Sequence, residues 1–424
     1  MSDGLFRLTE KQKEFFSDWK HGRLKRINIL EGSVRSGKTY SSLIMWALWL
    51  ATRPESGKYL MVGKTLTTLK RNCLEPLAEM LGKEHMQFST PAKRAVIFGR
   101  NVDLEGAANA ASENKIRGIT LGGAYADELT LIPRDFFVML LSRLSTPGAM
   151  LFGTTNPDSP RHWLKADYLD NPQLDLYRIR FLLDDNTTLP ADYIANLKKE
   201  YTGVFYRRFI LGDWVAAEGA VYPMFEQKRH VSDTVPELRM HWIAADYGHT
   251  NPTAFLRLAS GEDGRIWVLD EYYHMADKTG AKSPKQYARD MQAFAEKGPA
   301  PDVVVIDPSA EGFMLQLRED APQLRIRRAD NAVLEGIQLV ASAIDAGALM
   351  IHPRCRHLID ELMGYTWDPK AQERGEDRPL KQNDHACDAL RYGLMAYRRD
   401  INRRVMEIGR KAELPADQLA MARL

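Results

Sequence analysis

The chain has 424 residues, 44% of them hydrophobic and 27% charged, an ordinary globular balance that excludes a fibrous, low-complexity or largely disordered protein. Its length exceeds what one core usually serves and points to two domains. Lysine plus arginine number 58 against 56 aspartate plus glutamate, so net charge argues neither for nor against a nucleic-acid partner.

In chain order, Leu8-Thr9-x-x-Gln12 comes first, and Gln12 is a candidate for the edge of an adenine, although an isolated Gln is more often a surface residue. The apolar strand Ile27–Leu30 then runs through Glu31 into Gly32, Ser33, Val34, Arg35, Ser36, Gly37, Lys38 and Thr39. Gly-x-x-x-x-Gly-Lys-Thr between a strand and a helix-compatible run, Tyr40–Ala51, is a phosphate-binding loop. Its backbone N–H groups surround the β-phosphate, Lys38 reaches the β/γ oxygens and the Thr39 hydroxyl ligates Mg²⁺. Further short strands are expected at Tyr59–Val62, Ala95–Phe98, Gly123–Ala126 and Ala149–Phe152, with a helix at Arg134–Leu144: an α/β rhythm with a mostly parallel sheet. Asp127 and Glu128 end the Gly123–Ala126 strand, where Asp127 would hold the Mg²⁺ water shell and Glu128 orient or deprotonate the attacking water. The strand Ala149–Phe152 leads to Gly153, Thr154, Thr155 and Asn156, small polar groups suited to sensing a γ-phosphate. Arg35, inside the loop, and Arg117 are the two candidates for transition-state charge.

The domain boundary is expected near Phe209–Ala220. Beyond it, strands at Trp242–Gly248, Thr253–Leu258 and Arg265–Tyr273 form an antiparallel meander, with a hairpin at Gly261–Gly264. A helix at Pro284–Glu296, the apolar strand Val303–Ile306 and a final helix around Asp384–Arg398 complete an RNase H-like order. Asp246 and Asp307 lie at strand ends and Asp388 on the last helix, one turn after Asp384. Three such carboxylates converging on divalent cations are what a metal-dependent nuclease needs. Asp384 is read as a helix cap or as a support behind the metal-binding carboxylates, and His385 as a weaker helper for substrate phosphate or water. Glu271 reads as a strand-end surface residue before it reads as a further ligand. His352, Cys355 and His357 lack an evident fourth zinc ligand, and helix-start packing is expected there. Cys73, Cys355 and Cys387 form no C-x-x-C pair and suit a reducing compartment. No signal-peptide pattern is present and the best apolar run, Leu43–Ala51, is too short for a bilayer, so a cytoplasmic protein with no membrane partner is expected.

Taken together, Gly32–Thr39, Tyr125–Glu128, Gly153–Asn156, Ile210–Trp214, Ala245–Gly248, Ile306–Pro308 and Asp384–Tyr392 resemble, in their order, the large terminase subunit of tailed bacteriophages. The resemblance implies an α/β protein with an N-terminal P-loop (RecA/ASCE-like) ATPase domain over 1–215, a linker over 216–238, an RNase H-like nuclease domain over 239–402 and a basic tail over 403–424. It implies ATP with Mg²⁺ at the first site and two Mg²⁺ or Mn²⁺ at Asp246, Asp307 and Asp388. It implies translocation of double-stranded DNA into a procapsid, cutting of concatemers, and coupling of hydrolysis to motion by Thr154–Asn156. Its partners would be the portal protein, a small terminase subunit and further copies in a ring, within the host cytoplasm and transiently docked on the procapsid. Arg117 resembles the arginine that reaches a neighbouring subunit's nucleotide, with Arg35 as the alternative within the loop. The basic run Arg398-Arg399 and Arg403-Arg404 reads either as a portal contact or as a solvated helix end. The rival reading is a DNA helicase or repair ATPase with a fused nuclease, which would need a second RecA-like half. A structural protein retaining an old ATPase sequence, or an RNase H-like transposase, would leave the acidic or the P-loop motifs without a purpose.

Overall fold

The computed structural model describes residues 8–248, 252–275 and 280–413. The chain divides into two units. The first runs to Ile194 and adds Gly203–Ala216 and Gln372–Glu376; the second comprises Ala195–Thr202, Ala217–Ala371 and the residues from Asp377 on.

The first unit is built on eight strands: β1 (Ile27–Gly32), β2 (Tyr59–Gly63), β3 (Met86–Ser89), β4 (Arg94–Ile97), β5 (Arg100–Gly106), β6 (Gly123–Ala126), β7 (Met150–Thr155) and β8 (Leu176–Phe181). Their order across the sheet is β3-β4-β5-β2-β6-β7-β1-β8, and the six from β5 to β8 are parallel. The strand expected at Ala95–Phe98 is present as β4, an exception in this mostly parallel sheet that pairs antiparallel with both β3 and β5. Only Phe98 and Gly99, both at positive φ (47° and 79°), separate β4 from β5; two left-handed residues close a hairpin, whereas a parallel return needs a dozen or more residues. Strand period two divides β1 between two cores. Ile27 and Ile29 pack with Phe136, Phe137 and Leu140 on one face, and Leu30 packs with Trp46, Trp49 and Phe152 on the other. Helices on both faces thus bury a central sheet whose β6-β7-β1 carboxyl ends lie side by side, the usual ligand position in open α/β sheets.

The second unit has a six-stranded sheet of β9 (Leu238–Asp246), β10 (Thr253–Gly261), β11 (Ile266–His274), β12 (Val304–Ile306), β13 (Ile326–Arg328) and β14 (Leu349–Ile351), in the order β13-β12-β9-β10-β11-β14. The β9-β10-β11 meander is antiparallel and β12 joins β9 in parallel, Ile306 opposite Ala245. That register brings the residues after both strands, Asp246 and Asp307, to one edge. The helix Pro284–Glu296 covers one face through Tyr287, Met291 and Phe294. The helix His385–Met395 approaches the sheet so closely that a β-carbon at Gly393 would stand 3.1 Å from Ala244 Cβ. The predicted final helix ends at Met395, and a second one, Arg398–Glu413, follows. The stretch 216–238, read as a linker, is packed within this unit: Val221 N donates to Tyr365 O at 2.8 Å and Val231 bridges to Ile351. The tail expected over 403–424 is helical to Glu413, and its remainder lies outside the described residues. Among the described residues no helix is long and apolar enough to cross a membrane.

Candidate active sites

β1 ends in Gly32, where any β-carbon would stand 1.9 Å from Phe181 O on β8; only glycine lets the loop leave the sheet there. Arg35 and Gly37 take positive φ (55° and 84°), curling the loop into the helix Lys38–Ala51. The Lys38 ammonium is buried and donates to Ser33 O at 2.9 Å and Asn156 Oδ1 at 2.7 Å. Burial pulls its pKa down to about 8, against the opposing attraction of Asp127 and Glu128. Asp127 follows β6 and accepts from Thr154 Oγ1 at 2.6 Å, while Thr154 Oγ1 accepts from Glu128 N at 3.2 Å. Glu128 is held at φ 54°, a left-handed conformation costly for a non-glycine residue. Val34, Arg35, Lys38, Thr39, Asp127, Glu128, Thr154, Thr155 and Asn156 all line one cavity of about 470 Å³.

The fit of the loop to a polyphosphate rests on the Lys38 ammonium in the cavity and on orphaned hydroxyls of the loop beside it. Ser33 Oγ and Ser36 Oγ are buried without a hydrogen-bond partner, an arrangement that costs free energy unless an anion or water completes it. Gln12 is buried beside the loop and occupied in a capping box with Thr9, whose N–H donates to Gln12 Oε1 at 2.9 Å. A β-carbon at Gly37 would lie 3.3 Å from Gln12 Nε2. Arg117 is outside this cavity, on the surface and paired with Glu113. Sequence reasoning missed Arg71 and Asn72, which also line the cavity. They sit on a π-helical turn, Lys70–Leu74, a local widening that no residue periodicity announces. It missed Asn186 as well, whose Nδ2 donates to Arg35 O at 2.7 Å.

In the second unit Asp246, Asp307, Asp384, His385 and Asp388 line one cavity of about 450 Å³. Asp246 Oδ2 meets His385 Nδ1 at 2.9 Å. Burial raises the Asp246 pKa, with His385 opposing; burial alone would lower His385, but the bond to Asp246 and the nearby carboxylates raise it. Asp307 accepts from Tyr392 OH and Ser309 N at 2.6 Å each, and with Arg391 these outweigh burial and hold its pKa low. Asp388 is clamped between Arg391 Nη2 at 2.9 Å and Lys381 Nζ at 3.0 Å, and the same ammonium reaches Asp384 at 3.1 Å. Tyr392 and Arg391 lie four and three residues after Asp388, a helical spacing that a search along the helix would have found.

An all-carboxylate set with one imidazole is the donor chemistry of a hard divalent cation. Among the described residues, however, no three His, Cys, Asp or Glu side chains already surround a common ion position; a lysine, an arginine and a tyrosine bond to the carboxylate oxygens instead. The reading of Glu271 as a surface residue is corrected. Its carboxylate is buried and accepts from His357 N at 2.9 Å and Leu358 N at 3.1 Å, capping the helix Arg356–Gly364. His352, Cys355 and His357 gather no ion either: Cys355 is buried at the start of that helix.

Residues 29–229 match the family described as terminase large subunit, T4likevirus-type, N-terminal, and residues 246–395 match the terminase RNase H-like domain. The large terminase of a thermophilic bacteriophage is 34% identical, with 91% of this chain and 98% of that one covered at a TM-score of 0.84. The chain belongs to the large terminase subunits of phages. The same thermophilic-phage terminase in complex with ADP is equally similar, at 34% identity and a TM-score of 0.84 over 92% of this chain and 98% of that one. The large terminase subunit of Escherichia phage T5 is 24% identical over 278 residues, and the alignment spans 62% of each chain. This terminase therefore carries the family's two parts, a DNA-packaging ATPase domain and an RNase H-like nuclease domain, in the expected order.

Proposed function

We propose that the first unit hydrolyses ATP to move double-stranded DNA and that the second cuts it, with the two chemistries on separate side chains. The observation that carries this reading is the gathering of two unlike sets of residues in two cavities. One holds a lysine and small hydroxyls around an acidic pair, the other five acidic or imidazole groups.

At the first, Gly32–Thr39 wrap the phosphates, and Lys38 exchanges its bond to Asn156 for the β/γ oxygens. Thr39 and Asp127 would hold Mg²⁺, which when bound neutralises phosphate charge. Glu128 aligns the attacking water and receives its proton. Thr154 bonds both Asp127 and the Glu128 backbone, so displacement of this pair passes to β7, and Thr155 and Asn156 carry it on. Gln12 would meet the base, and Arg35 or Arg71 the developing charge.

At the second, Asp246, Asp307 and Asp388 would hold Mg²⁺ or Mn²⁺, cations that when bound polarise water and stabilise the leaving oxygen. Lys381 and Tyr392 release their carboxylates as that happens, and His385 steers the phosphate or its water. Double-stranded DNA, a portal, a small subunit and further copies of the chain are the partners that family membership supports, in the cytoplasm of an infected host.

Lys38→Ala in the full chain is expected to abolish ATP hydrolysis while leaving Mn²⁺-dependent plasmid cutting. Asp307→Ala is expected to do the reverse. Loss of both activities in either single variant, with an unchanged circular-dichroism spectrum, would overturn the assignment of two independent sites.

A further inference from the structure

Beside the carboxylate cavity lies a second one of about 440 Å³ that the metal chemistry does not use, within the range of ordinary small-ligand pockets, about 300–1,000 Å³. The two share the loop 380–385. Leu380, Gln382 and Asn383 face the second cavity, whereas Lys381, Asp384 and His385 face the carboxylate site. Consecutive residues, Asn383 and Asp384, thus line the two compartments on either side of this segment. Asn383 turns the chain at φ 50°, a left-handed conformation that asparagine tolerates better than most residues.

The walls identify the occupant. The rings of Tyr273 and His357 stack with centroids 4.1 Å apart and planes 5° apart, and both line the cavity. Each ring is fixed: Tyr273 OH donates to Glu361 Oε1 at 2.7 Å, and His357 Nδ1 meets Glu271 Oε1 at 2.9 Å. Among the described residues no lysine or arginine lines the space, but Asp360 and Glu361 do, a lining that disfavours a phosphate. What fits is a flat, uncharged group with hydrogen-bonding edges, satisfied by the Gln382 and Asn383 amides and the Asp360 carboxylate. Glu361 also accepts from Cys387 N at 2.9 Å, so the carboxylate that fixes Tyr273 anchors the first turn of the helix bearing Asp388.

Resting on the nuclease reading, we infer that this cavity receives an unstacked nucleobase of the strand whose neighbouring phosphate is cut at Asp246, Asp307 and Asp388. Aromatic stacking would hold the base and the two amides would read its edge.

The test is to sequence the ends produced on plasmid DNA with Mn²⁺ by the full-length wild type, Tyr273→Ala, Tyr273→Phe and Gln382→Ala, with Mn²⁺ affinity measured in parallel. Wild-type ends should be biased toward particular bases at one position beside the cut. Tyr273→Ala should lower affinity for uncut DNA by about tenfold, the size of one lost base–aromatic stack, and blunt the bias because the base is no longer held against the amides, and Gln382→Ala should change which base is preferred. Tyr273→Phe, which keeps the ring, should retain the bias, and Mn²⁺ affinity should hold in all four proteins. Unbiased wild-type ends, or the same bias in Tyr273→Ala and Gln382→Ala, would overturn the base pocket while leaving the nuclease standing. Absence of Mn²⁺-dependent cutting by the wild type would overturn both.

Discussion

Lys38 is the residue whose surroundings make the sharpest quantitative statement. Its pKa in the free protein is about 8, because burial outweighs the pull of Asp127 and Glu128, whereas phosphate binding requires the ammonium. Below pH 8 the lysine is already charged; above it, nucleotide must bring a proton with it. The apparent dissociation constant for ATP should therefore be flat below pH 8 and rise above it, by at most about tenfold per pH unit. Isothermal titration in two buffers of different ionisation enthalpy should record proton uptake roughly one unit above that pKa and little one unit below it. At this scale the sequence pointed to Lys38, Asp127 and Glu128 through short local motifs and to Asp246, Asp307 and Asp388 through the order of elements, and each set lines one cavity. It did not point to Arg71 or Lys381, since an arginine on a widened helical turn and a lysine in a loop look like any exposed cation until the fold supplies their neighbours.

Among the elements, the segment after the helix Gly203–Phe209 does more than mark a boundary. Trp214 Nε1 donates to Glu31 Oε2 at 2.8 Å, Val34 N donates to Phe209 O at 2.8 Å, and Arg180 pairs with Asp213 at 2.8 Å. A β-carbon at Gly212 would stand 3.3 Å from Ser33 N. The Ile210–Trp214 motif is thus a strap on the stem of the phosphate loop, and Glu31, buried beneath it, depends on Trp214 and Arg178 for its hydrogen bonds. Trp214→Phe keeps the apolar ring but leaves one buried carboxylate oxygen short of a donor. It should lower stability by about 1–3 kcal/mol and weaken ATP binding, measured by thermal melts with and without nucleotide. If the strap were mere connection, the melting temperature would fall without any change in nucleotide affinity. The sequence marked this motif as a boundary because small residues follow it; its attachment to β1 spans 183 positions and could not be read locally.

For the whole molecule, the open matter is where Arg117 acts. It is paired with Glu113 on the surface, outside the cavity of its own chain, while Arg35 lines that cavity. If Arg117 serves a neighbouring copy, the specific ATPase rate of the wild type should rise with protein concentration. Arg117→Ala should remove that rise while leaving ATP binding intact, and Arg35→Ala should reduce the rate at every concentration. A wild-type rate independent of concentration, equally lowered by Arg117→Ala, would place its action within one chain. The C-terminal basic run has less charge to offer a partner than its composition suggests, because Arg398 pairs with Glu335 and both Arg403 and Arg404 with Asp400.

By itself the sequence determined the α/β class, the order ATPase then nuclease, and the motifs whose residues line the two cavities. Each of these is a local pattern of apolar period, glycine placement and adjacent polar side chains, and local patterns survive in one dimension. Only the tertiary structure decided that β4 turns back as a hairpin, that Glu271 caps a helix, and that Lys381 reaches both Asp384 and Asp388. It alone set Tyr273 and His357 in a stack beside the carboxylates. Those outcomes depend on which distant backbone atoms and charges come within hydrogen-bonding range, and that is settled when sheets and helices pack.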